Sequence, residues 1–299
     1  MNIIGHRKIF FSISGLLILA SIFAIFYFGF RQGIDLVGGT NWQIKLKDST
    51  VKQSVLKSAL IEISHYPNLV VKSLPENNFL VKLPSISEEE HQRYLRALQE
   101  KFGEIEEQSF ESIGPTIGRE LKKRFIWAFL LGLLGILLYV AWAFRKVSYP
   151  IKSWKYGLIG ILCLFHDISI PSGLMAFWGW QRGIEIDTNF IVALLFILGY
   201  SINNVIIVFD RVRENLLLTR GGRFDFAEIL NNSIKQTFSR SVNTSLTTLF
   251  PLLALYFLGP ISLQYFILVL ILGIFLGTYT SIGIASPLLF VWHRKTQQK

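Results

Sequence analysis

Sulfur is nearly absent from this chain: Cys163 is the only cysteine, and there are two methionines. A single cysteine excludes an intrachain disulfide and any thiolate cluster able to hold a metal. Every part of the chain must fold without covalent staples. Charge is scarce too, at 17% of 299 residues, where soluble domains carry about 25%. Acidic residues are the rarer sign, 20 against 30 basic, for a net charge of +10. A basic excess can mark nucleic-acid binding. Here the Lys and Arg sit in short loops beside apolar runs and do not interleave with aromatics on a polar face, which excludes that class of partner.

What the chain has instead is apolar sequence, 51% of its residues. Six runs can cross a hydrocarbon core of about 30 Å: 9–30, 125–144, 156–180, 190–209, 240–258 and 263–292. The fold class is therefore an α-helical polytopic membrane protein with the lipid bilayer as its solvent. The first run follows His6-Arg7-Lys8, as a signal peptide does. It is longer than a signal-peptide core and no small-x-small site precedes Arg31, so an uncleaved anchor is expected.

Lys and Arg concentrate in the N-terminus, in 145–155, in 210–240 and in 293–299, and alternate with the net acidic stretch 181–187 and the uncharged stretch 259–262. By the positive-inside rule both termini are cytoplasmic, and residues 31–124 lie outside. The expected organisation is a cytoplasmic N-terminus and first helix over 1–30, an external domain over 31–124, helices two to six over 125–292, and a cytoplasmic tail over 293–299.

The external segment reads as a compact α+β domain. Alternation over 41–46, helical spacing over 50–64, short strands over 69–73 and 79–83, a Ser87-x-x-Glu90 capping box opening a helix to Phe102, and alternation over 104–112 give the order β-α-β-β-α-β. That order is the split, ferredoxin-like arrangement. No His or Cys cluster and no carboxylate pair at catalytic spacing occurs in it, so a binding or lever role is expected, with no catalytic residue, metal or cofactor.

Polar groups inside apolar runs are costly and mark function. Three sets stand out. His166-Asp167 falls mid-span in the third helix, and Asp167 is the only carboxylate at membrane depth. On the fourth helix Asn203 and Asn204 share a stripe with Tyr200, Ile207 and Arg211, ahead of the charged run Asp210-Arg211-Val212-Arg213-Glu214-Asn215. The amides can bind water or a partner but cannot carry a proton. On the fifth helix Arg240, Asn243, Thr244, Thr247, Thr248 and Pro251 fall near one face, which is expected to turn inward. The bland alternatives are interhelical hydrogen bonds and an interfacial snorkelling Arg. Two glycine motifs bound the external domain as shaped hinges: Gly33-Ile34-Asp35-Leu36-Val37-Gly38-Gly39-Thr40 and Gly114-Pro115-Thr116-Ile117-Gly118.

Six such motifs in this order closely resemble the SecF family of bacterial Sec protein-export subunits, which falls within the SecD/SecF branch of the RND superfamily. They are the two glycine motifs, His166-Asp167, the segment from Gly199 to Asn203, the charged run from Asp210 to Asn215, and Ser239-Arg240-Ser241-Val242-Asn243-Thr244-Ser245-Leu246-Thr247-Thr248. The resemblance implies pairing with SecD, association with the SecYEG channel and with accessory proteins of the YajC and YidC type, and action on unfolded preproteins, powered by the proton gradient. It implies a proton pathway through an Asp on the fourth helix and an Arg on the fifth. The Arg maps to Arg240. The Asp position, in the pattern Gly-Tyr-Ser-x-Asn-Asp, is Asn204 here. Three readings stay open: the proton uses Asp167, or it uses a carboxylate of the partner, or this subunit is a non-conducting scaffold. An RND-type exporter of small molecules would carry about twice as many spans.

Overall fold

The computed structural model describes residues 2–47, 51–145, 151–219, 225–260 and 263–297. By internal packing the chain divides into two compact units, residues 32–126 and the rest.

In the smaller unit one short helix, α2 (Ile34–Val37), precedes β1 (Gly39–Leu46), α3 (Gln53–Ser64), β2 (Val70–Leu74), β3 (Asn78–Leu83), α4 (Glu88–Phe102) and β4 (Ile105–Ile113). The antiparallel sheet has the order β2-β3-β1-β4. β3 lies between β1 and β2, the split arrangement that the alternation implies. Strand β1 buries alternate residues, and Trp42, Ile44 and Leu46 meet Leu56, Leu60 and Leu98 of the two helices in one apolar core. The capping box forms as expected: the Glu90 backbone N–H donates to Ser87 Oγ at 3.3 Å, and the Ser87 N–H donates to Glu90 Oε2 at 2.9 Å. The helix α2 arises inside a segment expected to be a hinge.

In the larger unit the helices are α1 (Arg7–Phe28), the later part of α5 (Pro115–Ala143), α6 (Ser153–Arg182), α7 (Thr188–Leu218), α8 (Phe226–Leu258), α9 (Gln264–Thr280), a π turn (Ser281–Ala285) and α10 (Ser286–Gln297). Among the described residues six helices are long and apolar enough to cross a membrane, the last counting α9, the π turn and α10 as one. Helix α6 is the most buried of the six and α5 the least. Glycines allow the close approach. A Cβ on Gly173 would lie 2.5 Å from Ser21 Cα of α1, and one on Gly273 would collide with the Ile197 side chain of α7. Cys163 is fully enclosed in α6.

The helices outrun the apolar runs that reveal them. Helix α8 begins at Phe226, capped by Asp225 Oδ1 accepting from the Ala227 N–H at 2.8 Å, rather than near Arg240. Helix α7 continues through the charged run to Leu218, and α5 starts at Pro115, so Gly118 lies within its first turns. Parts of the expected loops 145–155 and 259–262, of the basic stretch 210–240 and of the tail 293–299 lie outside the described residues.

Candidate functional site

Three helices converge on one carboxylate. Asp167 is fully enclosed. Its Oδ2 accepts from Ser201 of α7 and from Thr280 of α9, the latter at 2.8 Å, and its Oδ1 lies 2.9 Å from Nδ1 of His166. Thr280 Oγ1 also lies 3.0 Å from the Leu276 carbonyl. One hydroxyl has one proton, so Thr280 bonds either a carboxylate or, with its proton on Leu276, a carboxylic acid. The site thus accommodates both forms of Asp167 without a new geometry. His166 lies against the Tyr279 ring at 6.0 Å, and Tyr279 Oη donates to the Phe10 carbonyl at 3.2 Å, which ties α1 to the same junction.

A second polar layer sits beside it. Tyr200 Oη donates to Ser245 Oγ of α8 at 3.0 Å, and Ser245 in turn bonds Thr278 of α9. Ser201, Thr278, Tyr279, Thr280 and Ser245 carry these contacts without having been singled out by role from the sequence. The polar run Thr278-Tyr279-Thr280-Ser281 in the middle of the apolar stretch 263–292 is the signal that could have found three of the partners.

The adjacent amides part company: Asn204 is fully enclosed and Asn203 is exposed. Successive helical residues lie about 100° apart, so neighbours need not share an environment. The fifth-helix stripe corrects an expectation. Arg240, Asn243, Thr247 and Pro251 are exposed and Thr244 and Thr248 are half-buried, so within this chain the stripe turns outward. The inward face of α8 is instead Ser233, Thr237, Ser241 and Ser245. Three of these hydroxyls donate to the carbonyl four residues back, as Ser233 does to Ile229 at 2.7 Å, which leaves their oxygens free to accept from neighbouring helices. Thr247 and Thr248 both donate to the Thr244 carbonyl, at 2.9 Å and 3.0 Å.

The charged run beyond α7's apolar part is locally paired: Asp210 with Arg213 at 3.3 Å and Arg211 with Glu214 at 2.9 Å. Asn215 Nδ2 donates across to Ser233 at 2.8 Å and Gln236 at 2.9 Å, clamping α7 to α8. In the smaller unit the glycine motifs meet. Gly38 has φ +83°, and a Cβ on it would lie 2.6 Å from Pro115 Cα; one on Gly118 would lie 2.9 Å from the Gly38 nitrogen. Gly33 caps α2, Asp35 lies in its first turn, Gly39 has φ +137°, and Gly114 precedes α5. The motifs form a backbone-to-backbone junction that side chains would wedge apart.

A family model described as protein export membrane protein SecD/SecF, C-terminal, matches residues 93–295. The chain belongs to the SecD/SecF family. A protein translocase subunit SecF from Thermobaculum terrenum is 40% identical across 99% of this chain and 95% of its own length. One from Sebaldella termitidis is 37% identical across 98% and 92%. Among solved structures, SecDF from Thermus thermophilus, described as a translocon-associated membrane protein, superposes with a TM-score of 0.80 at 38% identity. This chain covers 38% of that one, which itself covers 98% of this one. With that family's description and its own six apolar helices among the described residues, the protein is a multi-pass membrane protein.

Proposed function

We propose that this chain is the SecF-type half of a SecD–SecF pair that assists preproteins through the SecYEG channel of a bacterial plasma membrane. What carries this reading is the 40% identity to a SecF that runs through nearly the whole of both chains. Both termini are cytoplasmic and residues 31–124 are external, in line with the distribution of Lys and Arg. Unfolded preproteins are the substrate, and YajC- and YidC-type proteins are accessory partners. The protein is not an enzyme in the bond-making sense.

The proton gradient drives the pair, and Asp167 takes and releases the proton in this half. Asn204 cannot titrate, whereas Asp167 has hydrogen-bond partners for both of its forms at a junction of α6, α7 and α9. A change of protonation there bears on all three helices at once. Arg240, exposed on α8, meets a carboxylate of the SecD half.

A reconstituted system with SecD and SecYEG tests this. Asp167→Asn is expected to abolish gradient-stimulated export while leaving ATP-driven export and co-purification with SecD intact. Full gradient stimulation in Asp167→Asn removes the Asp167 route. Loss of co-purification in the native chain removes the pairing. Asn204 itself favours a second reading, a non-conducting scaffold. Under that reading collapse of the gradient changes nothing in the native complex, and Asn204→Asp introduces gradient dependence.

A further inference from the structure

Neither Oδ1 nor Nδ2 of Asn204 has a hydrogen-bond partner among the described residues, although the side chain is fully enclosed. Ser241 of α8 is equally enclosed, and its Oγ is also without a partner. Buried polar groups in native proteins are almost always bonded, to protein or to ordered water, because an orphaned one forfeits its hydration for nothing.

Three packing registers bring these two side chains to one level. Helices α7 and α8 run antiparallel, and Tyr200 bonds Ser245, so one turn onward from Tyr200 faces one turn back from Ser245: Asn204 opposite Ser241. Helices α7 and α9 run parallel. A Cβ on Gly277 would lie 3.1 Å from Ser201 Cα, which places Thr280 and Ser281 alongside Asn204. The Ser245–Thr278 bond between α8 and α9 sets Ser241 level with Ile282. All three registers meet at the start of the π turn Ser281–Ala285. Such turns widen a helix locally and recur at functional sites.

We propose that Asn204 and Ser241 jointly hold an internal water molecule between α7, α8 and the π turn. Full enclosure excludes a side chain from any partner subunit, so the occupant is water-sized. Its chemistry is set by the orphaned atoms. Whichever way the amide is turned, one end donates and the other accepts, and the hydroxyl does both. Water satisfies all of these together. A cation would ligate the oxygens and face the amide hydrogens with like charge. The site adjoins the Asp167 cluster through Ser201 and Thr280 but uses neither Asp167 nor His166, and it stands whether or not the export reading does.

A double-mutant cycle on the full chain in lipid nanodiscs, read by thermal unfolding, tests it. With a bridging water, Asn204→Leu and Ser241→Ala each lower Tm, and the double variant falls little further than the worse single one. Single variants that each raise Tm, additively, overturn the proposal, because apolar replacement then only relieves unpaired groups. Unfolding in NaCl and in choline chloride is expected to give the same midpoint; a sodium-specific rise assigns a cation instead and overturns the water. A density map of the unmodified chain, fine enough to show ordered water, needs no variant. A water peak is expected within hydrogen-bond reach of both Asn204 and Ser241, and its absence there overturns the site.

Discussion

Residues 32–126 enclose Trp42, Ile44, Leu56, Leu60, Phe79, Val81 and Leu98, whereas the larger unit encloses Asp167, Ser201, Asn204, Ser233, Ser241 and Thr280 among its aliphatics and leaves Leu16, Phe26, Leu131 and Leu258 outside. The contrast follows from the solvent. In water, burying apolar surface is the main driving force, at about 25 cal/mol per Å². In lipid, burying a leucine gains almost nothing, since acyl chains are just as apolar, and helices associate through close packing and hydrogen bonds. The interior of the larger unit is therefore selected for small and polar side chains, and that selection leaves titratable and hydrogen-bonding groups where a mechanism can use them.

The sharpest way to break this comparison is a cavity. Trp42→Ala is expected to destabilise residues 32–126 by about 3–5 kcal/mol and leave protection in α6, α7 and α9 unchanged, as hydrogen exchange on the intact chain would report. Equal loss in both regions would mean that the units do not fold separately. The complementary change acts through crowding. Gly273→Leu forces a side chain into Ile197 and is expected to cost about 1–3 kcal/mol in the larger unit alone, visible as a lowered thermal midpoint with native exchange in β1 and β3.

A smaller effect separates local from tertiary stabilisation. Ser87→Ala removes the cap of α4 and is expected to cost about 1 kcal/mol, with faster exchange at Glu88 to His91. Acid should have the smallest effect, confined to the same unit. The hydrogen bond and charge of Lys101 hold Glu62 below the usual carboxylate range, and Gln92, then His91, do the same for Glu88. Both groups are exposed, so the effect is slight. A depressed carboxylate contributes stability that is present above its unfolded value and lost as pH falls through its folded one. Exchange in α3 and α4 should therefore quicken only below the ordinary carboxylate range, and a change near neutral pH would contradict the assignment.

How much of this was readable beforehand differs between the units for the same reason. Strand alternation, the Ser87 box and the turn between β2 and β3, where Glu76 and Asn77 take positive φ, are local signals, and the split sheet follows from them. The larger unit's spans were legible by length, but the direction of their faces was not. A helical projection shows that Arg240, Asn243 and Thr247 share a stripe; only neighbouring helices decide where it points, and they select the Ser and Thr face instead. The early turns of α8 were hidden because Asn231, Asn232, Lys235 and Gln236 break the apolar run, although Phe226, Ile229, Leu230, Ser233 and Ile234 recur at helical spacing behind the Asp225 cap. Asp167 stood out as an isolated carboxylate, yet its partners come from two other helices far along the chain. The π turn has no sequence signature at all.

The sealed thiol of Cys163 has a practical consequence. A chain whose one cysteine is out of reach is already a background for site-directed labelling. A cysteine introduced at an exposed position of α3, of the early turns of α8 or of α5 would react alone, and membrane-impermeant maleimides would report its side of the bilayer in intact cells. Cross-links from position 247 would identify whatever helix lies against the outward stripe.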